Sequence, residues 1–214
     1  MARITVLGGT GYGGRAVVRE AARRGHQGLA LSRTAPDSPT PGVTYVTGSV
    51  LDADVLERAV AGADVVFEAL SPRGDMAGKV EGVFDDLVAL ARQHGVRLGV
   101  LGGASSLRVS DGGPRLIDAV PPPPEVRPEA DLGIHKLETL QHSPEDLDWF
   151  YVSPAGEFGA WVPSTQTGQY RTSDDVLLRG PDGTSQISAA DLALAVLDEI
   201  EQPAHQRRRF HVAH

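Results

Sequence analysis

Three glycines near the start of the chain have the spacing of a nucleotide-binding turn. Gly8, Gly11 and Gly14 follow the apolar run 3–7 at G-x-x-G-x-x-G spacing and precede an amphipathic segment. Glycines at such positions permit a tight turn, a close backbone approach to a ligand and close packing of a helix on a strand. The unpaired N–H groups at the start of the helix suit a pyrophosphate. The pattern predicts a dinucleotide site, and the alternative is a tight turn without a ligand.

An arginine stands at the end of the second predicted strand. Arg33 lies between Ser32 and Thr34, about twenty residues beyond the glycines. An acidic residue there accepts hydrogen bonds from the ribose 2′-hydroxyl of NAD, whereas an arginine suits the 2′-phosphate of NADP. No Asp or Glu ends the strand, so Arg33 favours NADP, with Ser32 or Thr34 as helpers. The alternative is a solvated loop arginine.

The serines and histidines are weaker candidates for chemistry. Ser105 and Ser106 follow the fifth predicted strand, but this loop lacks the last glycine of the hydrolase turn Gly-x-Ser-x-Gly. These serines are therefore expected to line the nicotinamide pocket, or simply to cap and turn the chain. The seven histidines show no His-Glu-x-x-His spacing, so no metal site is supported. His135 is kept as a candidate proton donor, and a surface or structural histidine is the alternative.

Composition excludes several classes of protein. The 214 residues contain no cysteine, which excludes disulfides, thiolate metal sites and cysteine nucleophiles. The net charge of −8 argues against binding to nucleic acid or to an anionic membrane. The chain has no apolar run long enough to span a bilayer and no signal peptide pattern, so a cytoplasmic location is expected. A monomer or homodimer acting on a small molecule is the expected form.

Strand and helix patterns alternate along the chain, which is typical of βαβ units. We therefore predict an α/β fold with a doubly wound, mainly parallel sheet of the Rossmann type. It forms one domain, 1–214, with substrate-side loops mainly in 103–128 and 153–188, and the segment 111–128 is read as loop. The predicted strands are 3–7, 29–32, 43–47, 64–70, 97–101 and 148–152, a small strand 169–171 and an edge strand 208–212; the predicted helices begin near 13, 52, 79, 129 and 189.

With these motifs in place, the chain resembles the atypical short-chain dehydrogenases/reductases. It is most similar to the Rrf2-linked NADH-flavin reductases, and more loosely to biliverdin/flavin reductases and NmrA-like proteins. The glycine turn is generic to the superfamily, whereas the loop Gly-Gly-Ala-x-Ser-Leu at 102–107 and the stretch Gly-Gln-Tyr-Arg at 168–171 are more particular. The matching stretches cover nearly the whole chain, at 7–14, 48–52, 102–107, 116–118, 147–149, 153–155, 168–171 and 187–191.

The resemblance implies a cofactor-binding residue at the end of each central strand. The family name specifies NADH, whereas Arg33 favours NADPH. We expect NADPH, because the positive charge of Arg33 suits a 2′-phosphate. By the resemblance, Gly8, Thr10, Gly11, Tyr12 and Gly13 would hold the pyrophosphate, Arg33 the 2′-phosphate, Ser49 and Val50 the adenine, Ala69, Leu70 and Ser71 the ribose, and Gly103, Ala104 and Pro154 the nicotinamide.

The chain lacks the Tyr-x-x-x-Lys pair of the wider superfamily. Its tyrosines are residues 12, 45, 151 and 170, and its lysines are residues 79 and 136. Reduction of a ketone needs a proton donor that the tyrosine normally supplies. Flavins and quinones spread the charge over a conjugated ring and can be protonated by water, so orientation is the main task of the protein.

The sequence thus predicts an NADPH-dependent reductase of a free flavin, quinone or similar planar acceptor, with flavin as a substrate and not a prosthetic group. The acceptor is expected between loops 71–76, 105–118 and 154–161. Candidates for contacting it are Ser105, Ser106, His135, Phe158 and Trp161. The competing interpretation is an NmrA-like redox sensor without turnover. An epimerase or dehydratase is disfavoured because the Tyr-x-x-x-Lys pair is absent.

Overall fold

The apolar runs of the sequence form one eight-stranded sheet. The computed structural model describes residues 1–214. The strands are β1 (Arg3–Leu7), β2 (Gln27–Ser32), β3 (Val43–Thr47), β4 (Val65–Glu68), β5 (Arg97–Leu101), β6 (Trp149–Ser153), β7 (Arg171–Ser173) and β8 (Arg208–Ala213). The helices are α1 (Tyr12–Arg23), α2 (Ala53–Val60), α3 (Val80–His94), α4 (Leu116–Ala119), α5 (Arg127–Gln141) and α6 (Ala189–Glu201).

The strand order is β3-β2-β1-β4-β5-β6-β8-β7, and every neighbouring pair is parallel except β7 with β8. The chain moves outward from β1 in both directions, first through β2 and β3 and then through β4, β5 and β6. A topological switch point therefore lies between β1 and β4, where ligands bind outside the carboxyl ends of the strands. The predicted doubly wound, mainly parallel α/β fold is confirmed.

Two details of the sequence interpretation are wrong. Strand β8 is not an edge strand, because the short antiparallel β7 covers its outer side. The segment 111–128 is not all loop, because it contains α4. This helix has only four residues, too few for a periodic pattern, and its buried residue Ile117 anchors it to the domain.

Helix ends follow the expected local rules. The Asp52 carboxylate accepts hydrogen bonds from the N–H groups of Asp54 and Val55, at 3.0 and 3.3 Å, and so caps α2. Gly95 ends α3 in the left-handed conformation, with φ of 62°. Both helix ends therefore follow from residue types at those positions in the sequence.

The sheet has an apolar layer on each face. Helices α1 and α6 pack together over one face, with Val17 and Leu192 in the same buried cluster. Helices α2, α3 and α5 cover the other face, with Leu56, Leu87 and Leu137 in a second cluster. None of the helices combines the length and apolar composition that a membrane crossing requires. The two layers leave the carboxyl ends of the central strands open to one crevice.

Candidate functional site

A cavity of about 690 Å³ opens at the carboxyl ends of the central strands. Its size falls within the usual range for small-molecule and cofactor sites. Loops after β1, β2, β3, β4, β5 and β6 and one side of α5 contribute to it. The lining consists of Gly8, Thr10, Gly11, Tyr12, Gly13, Leu31, Ser32, Arg33, Thr34, Gly48, Val50, Ala69, Leu70, Ser71, Pro72, Arg73, Asp75, Met76, Leu101, Gly102, Glu129, Leu132, Gly133, Lys136, Phe158, Gly159, Ala160 and Trp161.

The glycine turn forms one end of the cavity. Gly8 has φ of +80°, a conformation that favours glycine, and a Cβ there would lie 2.7 Å from the carbonyl oxygen of Ala69. A Cβ on Gly14 would lie 2.4 Å from the carbonyl oxygen of Gly8, so this glycine lets α1 start close against the turn. At Gly11 a Cβ would meet only the Gly8 oxygen, at 3.2 Å. The turn therefore leaves its backbone accessible to a ligand.

The start of α1 presents backbone donors to the same end. The first bond of the helical ladder runs from the Arg15 N–H to the Gly11 carbonyl, so the N–H groups of residues 12–14 precede it. No side chain caps this end of the helix. Free N–H groups and the positive end of the helix dipole favour a negatively charged group. This is the arrangement that a pyrophosphate requires.

Arg33 carries the positive charge beside this end. Its side chain is 52% exposed, lines the cavity and forms an ion pair with Asp75, which is 55% exposed. Asp75 belongs to the loop after β4, so an acid reaches the end of β2 from a distant part of the chain. The Ser32 hydroxyl donates to the carbonyl of Thr34 at 2.8 Å and holds the loop that carries Arg33. No feature of the sequence indicated this acidic partner.

A buried ion pair stands in the wall formed by β4 and α5. The Lys136 ammonium lies 2.8 and 2.9 Å from the two carboxylate oxygens of Glu68, and 3.3 Å from the Leu70 carbonyl. The two side chains are 3% and 0% exposed. The Leu70 N–H donates back to Glu68 at 2.8 Å. The pair therefore fixes the backbone just after β4, where the cavity begins.

Tyr151 joins three elements behind that wall. Its hydroxyl donates to the Gly133 carbonyl of α5 at 2.8 Å and accepts from the Gly103 N–H at 3.1 Å. Burial raises the pKa of this tyrosine, so the group stays a neutral hydroxyl. A Cβ on Gly102 would overlap the Tyr151 ring. The loop after β5 is thus held tightly against the sheet and α5.

Aromatic and charged side chains form a second part of the cavity lining, which we name the aromatic end and which adjoins the start of α1. The rings of Tyr12 and Phe158 have centroids 5.2 Å apart. The Arg73 guanidinium lies 5.2 Å from the centroid of the Trp161 ring and donates to Glu129 at 2.7 Å. Trp161 is 65% exposed. This end offers flat apolar surfaces that a planar ring could contact.

Eleven of the predicted cofactor residues line the cavity. Among them, the Ser71 hydroxyl oxygen is buried and has no hydrogen-bond partner in the chain. The eleven are Gly8, Thr10, Gly11, Tyr12, Gly13, Ser32, Arg33, Val50, Ala69, Leu70 and Ser71. Four others, Ser49, Gly103, Ala104 and Pro154, lie next to lining residues or behind them and do not line the cavity. The Ser49 hydroxyl instead accepts from the Leu51 N–H at 3.2 Å.

Ser105 and His135, both predicted to contact the acceptor, are not among the residues that line the cavity. The Ser105 carbonyl accepts from the Ile117 N–H at 3.0 Å and so anchors α4. The His135 ring lies 3.9 Å from the Asp85 carboxylate, between α5 and α3. The loop region 103–128 contributes no lining residue, whereas 153–188 contributes Phe158 to Trp161.

Sequence reasoning did not assign Glu68, Arg73, Asp75 and Glu129 to the site, although it expected the loop 71–76 beside the acceptor. One signal was available for Glu68, because a carboxylate that ends an apolar strand needs a buried partner. The structure holds no group of three or more His, Asp or Glu residues placed to bind a metal ion.

The sheet order and the glycine turn at its switch point define a nucleotide-binding domain of the Rossmann type. Residues 8–203 match the family described as NAD(P)H-binding, and the chain belongs to that family. The uncharacterized protein YwnB of Bacillus subtilis is 32% identical over 215 residues, which cover 98% of this chain and 97% of YwnB.

Two solved structures share the whole fold. A protein of Streptococcus pneumoniae, provisionally named an NADH-flavin reductase, has a TM-score of 0.83 and 27% identity, covering 100% of this chain and 99% of that one. A provisionally named epimerase of Bacteroides thetaiotaomicron has a TM-score of 0.87 and 28% identity, covering 100% and 97%. Structural relatives with this fold thus carry names of more than one activity.

The residues present fit a nicotinamide dinucleotide. The glycine turn is a cradle that a Cβ at Gly8 or Gly14 would disrupt. Arg33 offers a cation, and the buried Ser71 hydroxyl offers an unused hydrogen-bonding group at the place expected for a ribose. Phe158 and Trp161 add apolar surface to the same cavity.

Proposed function

We propose that this protein is an NADPH-dependent reductase of a free flavin, quinone or similar planar acceptor. The observation that carries the proposal is the wall formed by α5. Leu132 stands four residues before Lys136, at the position where a Tyr-x-x-x-Lys pair has its tyrosine. The Lys136 ammonium forms an ion pair with Glu68. This wall therefore lacks the tyrosine hydroxyl that would donate a proton to a ketone or aldehyde oxygen. Acceptors that water can protonate avoid that requirement.

The choice of NADPH rests on Arg33. Its guanidinium is the one cation on the β2 side of the cavity, beside the glycine turn, and it suits a phosphate through charge-assisted hydrogen bonds. The N–H groups of residues 12–14 would hold the pyrophosphate, and Ser71 a ribose hydroxyl. A bound NADPH would supply a hydride from its nicotinamide ring.

The chain's own contribution to the reaction is orientation. Phe158 and Trp161 line the cavity with apolar surface that a planar acceptor can contact, and the Arg73 guanidinium lies over the Trp161 ring. Placing two rings in contact and excluding water accounts for a large share of the rate in such reactions. The name of the S. pneumoniae relative is consistent with this acceptor class.

The test follows NADPH oxidation at 340 nm with FMN, riboflavin, a soluble quinone and a simple ketone as separate acceptors. We expect turnover with the first three and none with the ketone. Trp161→Ala should raise the KM for the acceptor several-fold. Val46→Ala, an exposed apolar residue on the edge strand β3, serves as the control and should leave KM unchanged. Oxidation with the ketone only, or with no acceptor above background, would overturn the proposal.

The NmrA-like sensor remains the alternative from another class of function. It predicts tight NADP binding with no turnover on any of these acceptors. The same experiment therefore distinguishes the two functions when it is paired with a direct measurement of NADP binding.

A further inference from the structure

One short segment of the cavity lining contacts both Arg33 and the aromatic end. Residues 71–76, which we name the strap, follow β4 and end in a single 3₁₀ turn, Gly74–Met76. Met76 is buried and fastens the strap to the core. Asp75 reaches Arg33 at the nucleotide end, and Arg73 reaches Glu129 and Trp161 at the aromatic end.

The pair between Arg33 and Asp75 bears on the proposed phosphate site. Asp75 is the one acid in ion-pair contact with Arg33, and both residues line the cavity. A 2′-phosphate bound to this guanidinium would stand beside the Asp75 carboxylate. Two anions that share one cation repel each other, and the half-exposed ion pair is weak enough to be exchanged.

We propose that Asp75 is a specificity-determining residue, whose carboxylate competes with the 2′-phosphate of NADP for Arg33. NADP displaces Asp75, whereas NAD, with a 2′-hydroxyl, leaves the pair in place. Because Arg73 belongs to the same strap, the exchange also changes the contacts of Trp161. The 2′-phosphate at one end of the cavity thereby alters the surface that meets the acceptor at the other end. This inference rests on the proposed role of Arg33.

The first test compares Asp75→Asn with Asp37→Asn by calorimetric titration with NADP⁺ and NAD⁺. Asp37 is an exposed acid in the loop after Arg33 and does not line the cavity, so it controls for the change in net charge. We expect Asp75→Asn to bind NADP⁺ about threefold to thirtyfold more tightly, since a competing anion is removed. The affinity for NAD⁺ should stay within about twofold, and raised salt should shrink the gain.

Three results would overturn the proposal. The first is an unchanged or weaker affinity of Asp75→Asn for NADP⁺. The second is an equal gain in Asp37→Asn, which would reflect net charge alone. The third is a weaker affinity of Asp75→Asn for NAD⁺, which would make Asp75 a ribose-binding acid.

The second test reports on the strap itself. Trp149 and Trp161 are the two tryptophans of the chain, so Trp149→Phe leaves Trp161 as the sole tryptophan emission. In this variant we expect 2′,5′-ADP to change the emission and 5′-AMP to leave it unchanged, although neither fragment carries a nicotinamide. Adding Asp75→Asn should remove most of the change. Equal responses to both fragments, or none despite calorimetric binding of 2′,5′-ADP, would contradict the coupling.

Neither test depends on turnover, so the two proposals fail separately. If both tests give the expected results but the protein reduces no acceptor, only the reductase proposal is refuted. If the protein reduces flavins but Asp75→Asn leaves nucleotide affinity unchanged, only the proposed role of Asp75 is refuted.

Discussion

The ion pair between Lys136 and Glu68 allows a quantitative test of how the cavity wall is held. Lys136→Met keeps the length of the side chain and removes its charge. Glu68 would then retain one of its three close donor contacts, the Leu70 N–H at 2.8 Å. Removing one partner of a buried pair costs about 3–5 kcal/mol, because the remaining charge is left uncompensated. At about 2–4 °C per kcal/mol for a domain of this size, we expect the Tm to fall by about 6–20 °C.

The measurement is urea unfolding followed by circular dichroism, with thermal unfolding as a second probe. Lys79→Met is the matched control, because Lys79 is the other lysine of the chain, is exposed and makes no capping hydrogen bond. It should change the free energy of unfolding by less than about 0.5 kcal/mol. For the double variant Lys136→Met with Glu68→Gln, the decrease in the free energy of unfolding should be smaller than the sum of the two single-variant decreases by at least about 2 kcal/mol. A loss below about 1 kcal/mol in Lys136→Met, or strict additivity, would refute the assignment of a coupled buried pair.

Three further predictions concern the nucleotide site and the stability of the domain. Arg33→Gln should raise the Kd for NADPH at least about tenfold and leave that for NADH within about twofold, and equal losses in a fluorescence titration would contradict the phosphate role. In thermal unfolding, Gly14→Ala should destabilise the protein by about 1–3 kcal/mol, because the new Cβ would contact the turn. Gly82→Ala, at an open helical position, should stabilise the protein by about 0.5–1 kcal/mol. Similar effects of the two substitutions would refute the packing argument. Burial acts to raise the pKa of Asp191, but hydrogen bonds from the Thr167 N–H and other donors outweigh it and hold that pKa below its ordinary value. The stability that Asp191 contributes is therefore full above about pH 4 and lost as the pH falls through the lowered pKa, so the deficit of Asp191→Asn in urea unfolding should shrink between pH 6 and pH 2; a deficit that stays constant would contradict this.

Local chemistry explains which parts of the fold could be predicted from the sequence. The strand–glycine–helix order at Gly8, the cap at Asp52 and the stop at Gly95 each depend on residues close together in the chain. Helix α4 could not be predicted, because four residues do not establish a period. The place of β8 inside the sheet depends on whether β7 pairs with it, which is a contact between distant segments.

The same distinction applies to the site. Thr10 and Ser71, which the family resemblance assigned to the cofactor, both line the cavity because the ends of parallel strands converge at one edge. Asp75 could not be assigned to Arg33, since nothing near either residue in the sequence specifies the path of the strap. For the same reason the sequence placed the substrate side partly in 103–128, whereas the Tyr151 hydroxyl holds the beginning of that region against the sheet.

The three-way junction at Tyr151 has a consequence for how a ligand enters. The loop after β5 and helix α5 share the hydroxyl of the buried Tyr151, so moving either element breaks one of its two hydrogen bonds. The strap, by contrast, is held by half-exposed ion pairs that water can replace. Access is therefore one-sided. In a hydrogen-exchange experiment the Gly103 amide should exchange only with global unfolding, while amides of the strap exchange through local opening.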